Sequence, residues 1–288
     1  MTWRIVAISK NCKLDLKLNY LVIRDKDLQR IHLSEIAVLI VENTAVSITA
    51  ALLCELSKRK VKIILCDEKR NPYGEIMPYY GSHDTTDKLR TQITWNSDIT
   101  RKIWTEIVKE KITKQKELLE KRGCKEQALL LQSYFEEVKM NDETNREGHA
   151  AKVYFNALFG MGFTRNDDSV INACLNYGYS ILLSAFNREI TICGYCTQLG
   201  IFHDNMFNPF NLGSDFMEPF RPIVDECVIE MNPDILGPEE KRKLMDLLNK
   251  EVLVDNKTNF LINAIRIYCN GVFNAINEDN ANLLRFYK

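Results

Sequence analysis

Three stretches carry the residues best suited to polar chemistry: NREGH around Glu147, LGIFH ending at His203, and SDFMEPFRP around Asp215 and Glu218. Glu147 opens a helical pattern in which Ala151, Tyr154 and Leu158 share its face. The same glutamate also ends Thr144-Asn-Arg-Glu147, a capping-box spacing that would tie its carboxylate to the backbone. His203 falls between Gly200, a helix-end signal, and a loop marked by Asn205, Asn208 and Pro209. A histidine there serves equally well as a hydrogen-bonded structural residue. His149 points about 200° around the helix from Glu147, so the two cannot share one ion. Asp215 and Glu218 share a face if Ser214 caps a helix, and Pro219 and Pro222 restrict the backbone beside the second acid. Acids at a helix start also complement its dipole.

Taken together, two carboxylates and one imidazole from three segments make a hard, oxygen-rich donor set. It suits Mg²⁺ or Mn²⁺ better than structural zinc, which draws more sulfur or histidine. The pair Cys193-Gly-Tyr-Cys196 is a lone CxxC within an apolar helical stretch, and packing explains it. No GxGxxG, no Gly-rich loop ending in Lys-Ser/Thr and no GxSxG elbow is present, so nucleotide binding and serine-hydrolase chemistry have no support.

These residues need elements to position them. Trp3 to Ile8 and Ile36 to Val41 predict buried strands, and the alternation from Leu14 to Val22 predicts one half-buried strand. Ser47 is expected to cap a helix running to about Lys58, followed by a short strand from Val61 to Leu65. Pro72, Gly74, Pro78 and Gly81 then punctuate NPYGEIMPYYG, the best domain boundary. No proline follows until Pro209, and apolar spacing predicts helices near 100–120, 126–140, 147–160, 169–188, 238–250 and 256–276. The expected fold is α+β with two domains. A small β-rich N-terminal domain with one helix (1–70) precedes a linker (71–84) and a larger all-α catalytic domain (85–288).

At 288 residues and 45% hydrophobic, the chain can bury substantial cores. It has no apolar run near the roughly 20 residues of a membrane span, and its N-terminus lacks signal-peptide features. Nine scattered cysteines fit reduced thiols of a cytoplasm. The net charge is -1, yet residues 88–125 hold eleven Lys/Arg against five Asp/Glu. That segment is expected either to track phosphates or to form a solvated, internally paired helix.

In order, NREGHAAKVYFNALFG, INACLNYGYSILLS, LGIFH and NLGSDFMEPFRPIVD resemble the motifs of Cas1, the CRISPR-associated integrase family of spacer acquisition. NREGH, INACLNYGY and DFMEPFRP look most like members from type II (Cas9-containing) systems. IHLSEIAVLIVEN and CDEKRNPYGEIMPYYG also fit, so the likeness runs essentially the whole length. The resemblance implies a β-rich dimerisation domain and a helical domain with a metal site of Glu147, His203 and Glu218. Asp215 matches a companion acid, and Asn172, Asn176 and Tyr177 match a supporting motif. Some relatives carry Asp where Glu218 stands.

The implied activity is that of a metal-dependent DNA endonuclease and integrase of CRISPR adaptation. A protospacer 3′-hydroxyl attacks a phosphodiester at the leader–repeat junction, and again at the far end of the repeat. One phosphodiester replaces another, so no ATP is needed. The implied partners are double-stranded DNA, a second copy of the chain and the small adaptation protein Cas2. Type II systems add Cas9 and an accessory DNA-binding protein, all in a prokaryotic cytoplasm. Arg146, Lys152, Arg165 and Arg221, with the 88–125 segment, are the expected phosphate contacts.

Overall fold

A computed structural model describes residues 4–78 and 82–288. The N-terminal part runs β1 (Arg4–Ile8), β2 (Lys13–Lys17), β3 (Tyr20–Arg24), β4 (Leu28–His32), β5 (Ile36–Val41), β6 (Ser47–Ile48), α1 (Ala50–Lys58), β7 (Lys62–Cys66) and β8 (Pro72–Ile76). These strands form two four-stranded sheets, in the orders β1-β5-β7-β8 and β4-β3-β2-β6. In the first, β1, β5 and β7 are parallel and β8 is antiparallel.

The sequence of β5, IAVLIV, is buried throughout. Leu39 and Val41 join the N-terminal core, whereas Val38 and Ile40 join the core of the helical part. A strand covered on both faces reads as one apolar run, which is why its signal was clear. The sheet is therefore a shared wall between the two parts of the chain.

Several boundaries differ from expectation. The alternating run from Leu14 to Val22 is a hairpin, because Leu18 (φ 50) and Asn19 (φ 67) turn the chain between β2 and β3. Ser47 does not cap a helix. It lies in β6 beside β2, and Thr49 caps α1 by accepting from the Leu52 amide at 3.4 Å. The expected linker 71–84 contains β8, which pairs with β7. The last residues of the NPYGEIMPYYG run, 79–81, and Trp3 lie outside the described residues.

The helical part comprises α2 (Thr85–Ile93), α3 (Ser97–Lys121), α4 (Lys125–Glu136), α5 (Arg146–Phe159), α6 (Val170–Ile192), α7 (Asn211–Met217), α8 (Arg221–Met231), α9 (Pro238–Asp246) and α10 (Leu261–Asn277). It is not all-α: β9 (Glu251–Val254) and β10 (Lys257–Phe260) form an antiparallel hairpin turned by Asp255 (φ 50) and Asn256 (φ 61). Val252 and Val254 alternate inward and continue the helical core, so the apolar spacing there has period two. The 25-residue α3 contributes Ile99, Ile103, Trp104, Ile107, Val108 and Ile112 to that core. Gly178 lets α6 pass close to α8, since a Cβ there would stand 2.4 Å from a Val224 methyl carbon.

One buried polar cluster ties three of these helices together. Asp225 of α8 accepts a 2.9 Å bond from the Tyr154 hydroxyl of α5 and a second from the Tyr179 hydroxyl of α6. Burial outweighs both hydroxyls and the nearby Arg221 and Arg165, and it pushes the Asp225 carboxyl up to about 6. A raised carboxyl favours the fold while it keeps its proton. That contribution is complete below the unfolded value of 3.8 and is lost as pH rises through about 6. The difference corresponds to about 3 kcal/mol. In urea titrations, wild-type stability relative to Asp225→Asn is expected to decline between about pH 4 and pH 6 and then level off. Parallel pH profiles for the two proteins would refute this assignment.

Candidate active site

The site begins with Asp215, inside α7 and fully buried. One carboxylate oxygen, Oδ2, accepts from the amides of Ile201 (2.7 Å) and Phe202 (3.1 Å). The other, Oδ1, accepts from the His203 amide (3.0 Å) and lies 2.6 Å from His203 Nδ1. Four donors on two oxygens use the carboxylate's whole capacity. This bonding replaces the expected helix-dipole role, because α7 begins at Asn211 and Ser214 lies inside it. Gly200 is required at the crossing: a Cβ there would stand 2.7 Å from Asp215 Oδ2 and 2.3 Å from the His203 carbonyl oxygen.

The rest of the 197–210 segment is lashed down in the same way. The Asn211 amide nitrogen donates to the carbonyls of Gln198 and Asn205, both at 3.0 Å. Phe202 stacks on buried Trp104 with ring centroids 4.3 Å apart. The His203 ring is thereby fixed with Nδ1 toward Asp215. In its neutral form it donates from Nδ1 and leaves Nε2 as a free acceptor. The bond to Asp215 raises the imidazole pKa against the opposing effect of burial, with Glu218 and Glu147 adding to the rise.

Glu147 lies in the first turn of α5, and it is not a capping residue. Asn145 caps this helix, accepting from the Gly148 amide at 3.3 Å, while the Asp142 carboxylate accepts from the amides of Arg146 (2.8 Å) and Glu147 (3.0 Å). Glu147 is thus released from the helix start, and its carboxylate meets the ammonium of Lys111 from α3. Glu218 begins a short 3₁₀ segment, Glu218–Phe220, between α7 and α8. Pro219 and Pro222 lack amide protons, so α7 cannot run on unbroken into α8. Glu218 continues the buried face of Asp215, three residues on, and there Oε2 takes the Lys111 ammonium at 2.5 Å and Oε1 takes Arg221 Nε at 2.9 Å.

The charges here are interdependent. Burial opposes ionisation of Glu218, but Arg221 and then Lys111 outweigh it and bring the carboxyl down to about 2. Burial also opposes the charge on Lys111, and Glu218 and Glu147 overcome it, so the ammonium is held above its ordinary value. Lys111 went unrecognised in the sequence because KEKITKQKE resembles a surface helix. A usable signal existed: Ile103, Ile107, Lys111 and Gln115 form one i+4 stripe, and both polar members are buried.

Among the described residues, no three carboxylate, imidazole or thiol groups stand together as a ready ligand set. Between Glu147 and Glu218 stands the Lys111 ammonium, a cation already gripped by two anionic oxygens. It marks a place built for positive charge. Two carboxylates face it directly, and both act electrostatically on the nearby His203 imidazole, whose second nitrogen is free. These donor types match the chemistry of Mg²⁺ or Mn²⁺.

Apart from Arg221, the remaining sequence candidates make no hydrogen bond or ion pair with the side chains of Lys111, Glu147, His203 or Glu218. Arg165 donates to Asn172 and, at 2.7 Å, to Asn176, and Asn172 in turn donates to the Thr164 and Asp167 carbonyls. Tyr177 is buried with Lys241 above its ring, facing the N-terminal part near Glu42 and Cys66. Arg146 pairs with Glu137 at 2.8 Å, and Lys152 is exposed. Arg221 is committed to Glu218 and to the face of Tyr179, so it is not a free phosphate contact. Nor is α3 an open basic face. Lys109, Lys114, Lys116, Lys121 and Arg122 all pair with glutamates and Lys88 with Asp84, which leaves Arg90, Arg101, Lys102 and Lys125 exposed without ion pairs among the described residues. Cys193 and Cys196 lie just past the end of α6 rather than within a helix.

Comparison with known proteins agrees with this architecture. A curated relative, the CRISPR-associated endonuclease Cas1 of Neisseria meningitidis serogroup C (strain 8013), is 34% identical over 291 residues, covering 99% of this chain and 96% of the relative. A casposase bound to integration product superposes with a TM-score of 0.78 at 20% identity, covering 97% of this chain and 92% of that one. A Cas6-RT-Cas1–Cas2 complex superposes with a TM-score of 0.73 at 18% identity; the match covers 98% of this chain but spans only 36% of that longer one. The family model described as CRISPR associated protein Cas1 matches residues 5–239, so the chain belongs to the Cas1 family.

Proposed function

We propose that the chain is a divalent-metal-dependent DNA integrase of CRISPR adaptation. In this reading it joins a protospacer 3′-hydroxyl to a phosphodiester of the CRISPR array. The observation that carries the proposal is the convergence of Glu147 and Glu218 on one buried cation, within electrostatic reach of an imidazole locked by Asp215. Glu147, Glu218 and His203 Nε2 would hold Mg²⁺ or Mn²⁺. Such an ion, when bound, supplies charge neutralisation at the attacked phosphate and a lower pKa for the attacking hydroxyl.

The protein's own part is positional. Asp215 fixes the His203 tautomer and ring plane, and the Phe202–Trp104 stack walls one side of the imidazole. The exposed cations Arg90, Arg101, Lys102 and Lys152 are available for phosphate contacts that set register without reading bases. Exchange of one phosphodiester for another needs no nucleotide, in keeping with the missing nucleotide motifs.

The substrates in this proposal are double-stranded protospacer and leader–repeat DNA. The partners are a second copy of the chain and Cas2, a reading supported by the likeness to a complex containing Cas1 and Cas2. Membership of the type II subgroup would add Cas9 and an accessory DNA-binding protein. A cytoplasmic setting suits these partners, and among the described residues no helix is long and apolar enough to cross a membrane. A second reading, hydrolytic cleavage with water as the nucleophile, draws on the endonuclease name of the Neisseria relative. The same ligands would serve both reactions.

A labelled 3′-hydroxyl DNA and an array target separate the two readings, since joined products require strand transfer and cleavage alone requires only water. Glu147→Gln and Glu218→Gln are each expected to cut joining about 10³-fold while DNA affinity holds. Joining within tenfold of wild type would exclude the ligand roles. Asp215→Asn leaves the ligands in place but weakens the lock on His203, and about a 10- to 100-fold loss is expected. Full activity there would show that the lock is dispensable. DNA affinity should fall at least about tenfold between 50 and 200 mM salt, through counterion release at a few phosphates. A flat salt response in a filter-binding series would remove the exposed cations from the DNA surface.

A further inference from the structure

Lys111 has a position that the integrase reading leaves unexplained. Its side chain is only 8% exposed, and its ammonium is the sole ion-pair partner of Glu147 among the described residues. Glu218 differs, because Arg221 occupies its other oxygen. The two carboxylates come from separate elements, α5 and the 3₁₀ segment after α7, and α3 delivers the one group that touches both. Without a cation between them, two like charges would face each other in a largely buried space.

A divalent ion of the kind proposed binds oxygens at about 2.0–2.2 Å. It would need the volume that the ammonium fills, 2.5 Å from Glu218 Oε2 and also against Glu147. Two cations cannot share that point. We propose that Lys111 is a built-in counter-cation: it holds Glu147 and Glu218 together while the metal position is empty, and it competes with the divalent ion for the same two oxygens. The inference rests on the metal site of the proposed function and assigns the residue that sets its affinity. The flexible four-carbon stem lets the ammonium withdraw without moving α3, a motion the planar guanidinium of an arginine would make less readily. Only the fraction of molecules in which Lys111 has withdrawn is competent to bind the ion, so apparent affinity is reduced by that fraction.

The test uses the full chain stripped by chelator, with Mn²⁺ as the probe and calorimetry and thermal melts as readouts. Lys111→Met keeps the stem and removes the charge. It is expected to bind Mn²⁺ about tenfold or more tightly than wild type. Its metal-free melting temperature should drop, and Mn²⁺ should raise that temperature by more than it does in wild type. A folded Lys111→Met that binds Mn²⁺ with equal or weaker affinity overturns the proposal. If that variant folds only when Mn²⁺ is present, the counter-cation role is supported. If it folds under neither condition, Lys111→Arg decides: a fixed guanidinium on both carboxylates should weaken Mn²⁺ binding about tenfold or more, and unchanged binding overturns the proposal. Glu218→Gln separates this inference from the reading beneath it. Where neither wild type nor Lys111→Met binds Mn²⁺, or where Glu218→Gln binds as well as wild type, the metal site itself fails. Where wild type binds, Glu218→Gln does not, and Lys111→Met gains nothing, only the lysine's role fails.

Discussion

The arrangement of the site depends on an aspartate side chain buried in the core of the helical part. Asp215 has no exposed surface, and a carboxylate there is tolerable only because three backbone amides and an imidazole satisfy it. That requirement runs in both directions. The amides belong to Ile201, Phe202 and His203, so satisfying the acid pins an otherwise irregular segment to α7. The histidine cannot be placed without the aspartate, and the aspartate could not be buried without the segment. Gly200 belongs to the same constraint, since only a residue lacking a side chain lets the segment approach the carboxylate so closely.

From that anchor the second acid follows by chain geometry. Glu218 is three residues beyond Asp215, where Pro219 ends the regular helix and Pro222 starts the next one. The prolines break the helical amide ladder there, while Glu218 stays on the buried face that Asp215 begins. Helix α3 supplies the opposite wall. Its Lys111 lies on a buried stripe with Ile99, Ile103, Ile107 and Gln115. Burying an ammonium there is costly unless anions meet it, and Glu147 and Glu218 both do. Each charged group is thus permitted by the others, and truncation of one member leaves an uncompensated neighbour.

Much of this was legible in the sequence, and what was lost has physical causes. The doubly covered strand β5 was visible because local pattern and tertiary role agree. Glu147 was ambiguous, since a capping-box spacing and an inward-facing carboxylate look identical until Asp142 and Asn145 are seen to do the capping. The turns at Leu18–Asn19 and Asp255–Asn256 were missed because neither contains glycine, although asparagine tolerates the left-handed backbone at both. The basic character of residues 88–125 was real as composition and misleading as surface. Half of its eight lysines are spent on glutamates of α3 itself or of α8, and one is spent on the site.

The three acids therefore have different work, and their environments say which is which. Asp215 has no lone pair left to offer a cation, so it acts through His203 and cannot be an equivalent third carboxylate ligand. Glu218 keeps one oxygen on Arg221, which holds it ionised despite burial and leaves the other oxygen for a shared cation. Glu147 is the least restrained of the three, partly exposed and bound only to Lys111 among the described residues. A site with one acid locked, one half-committed and one free can be assembled before any ion arrives, and an ion would enter it by displacing the Lys111 ammonium. The locked and half-committed acids fix the geometry, while the free one has the latitude to close on a bound cation.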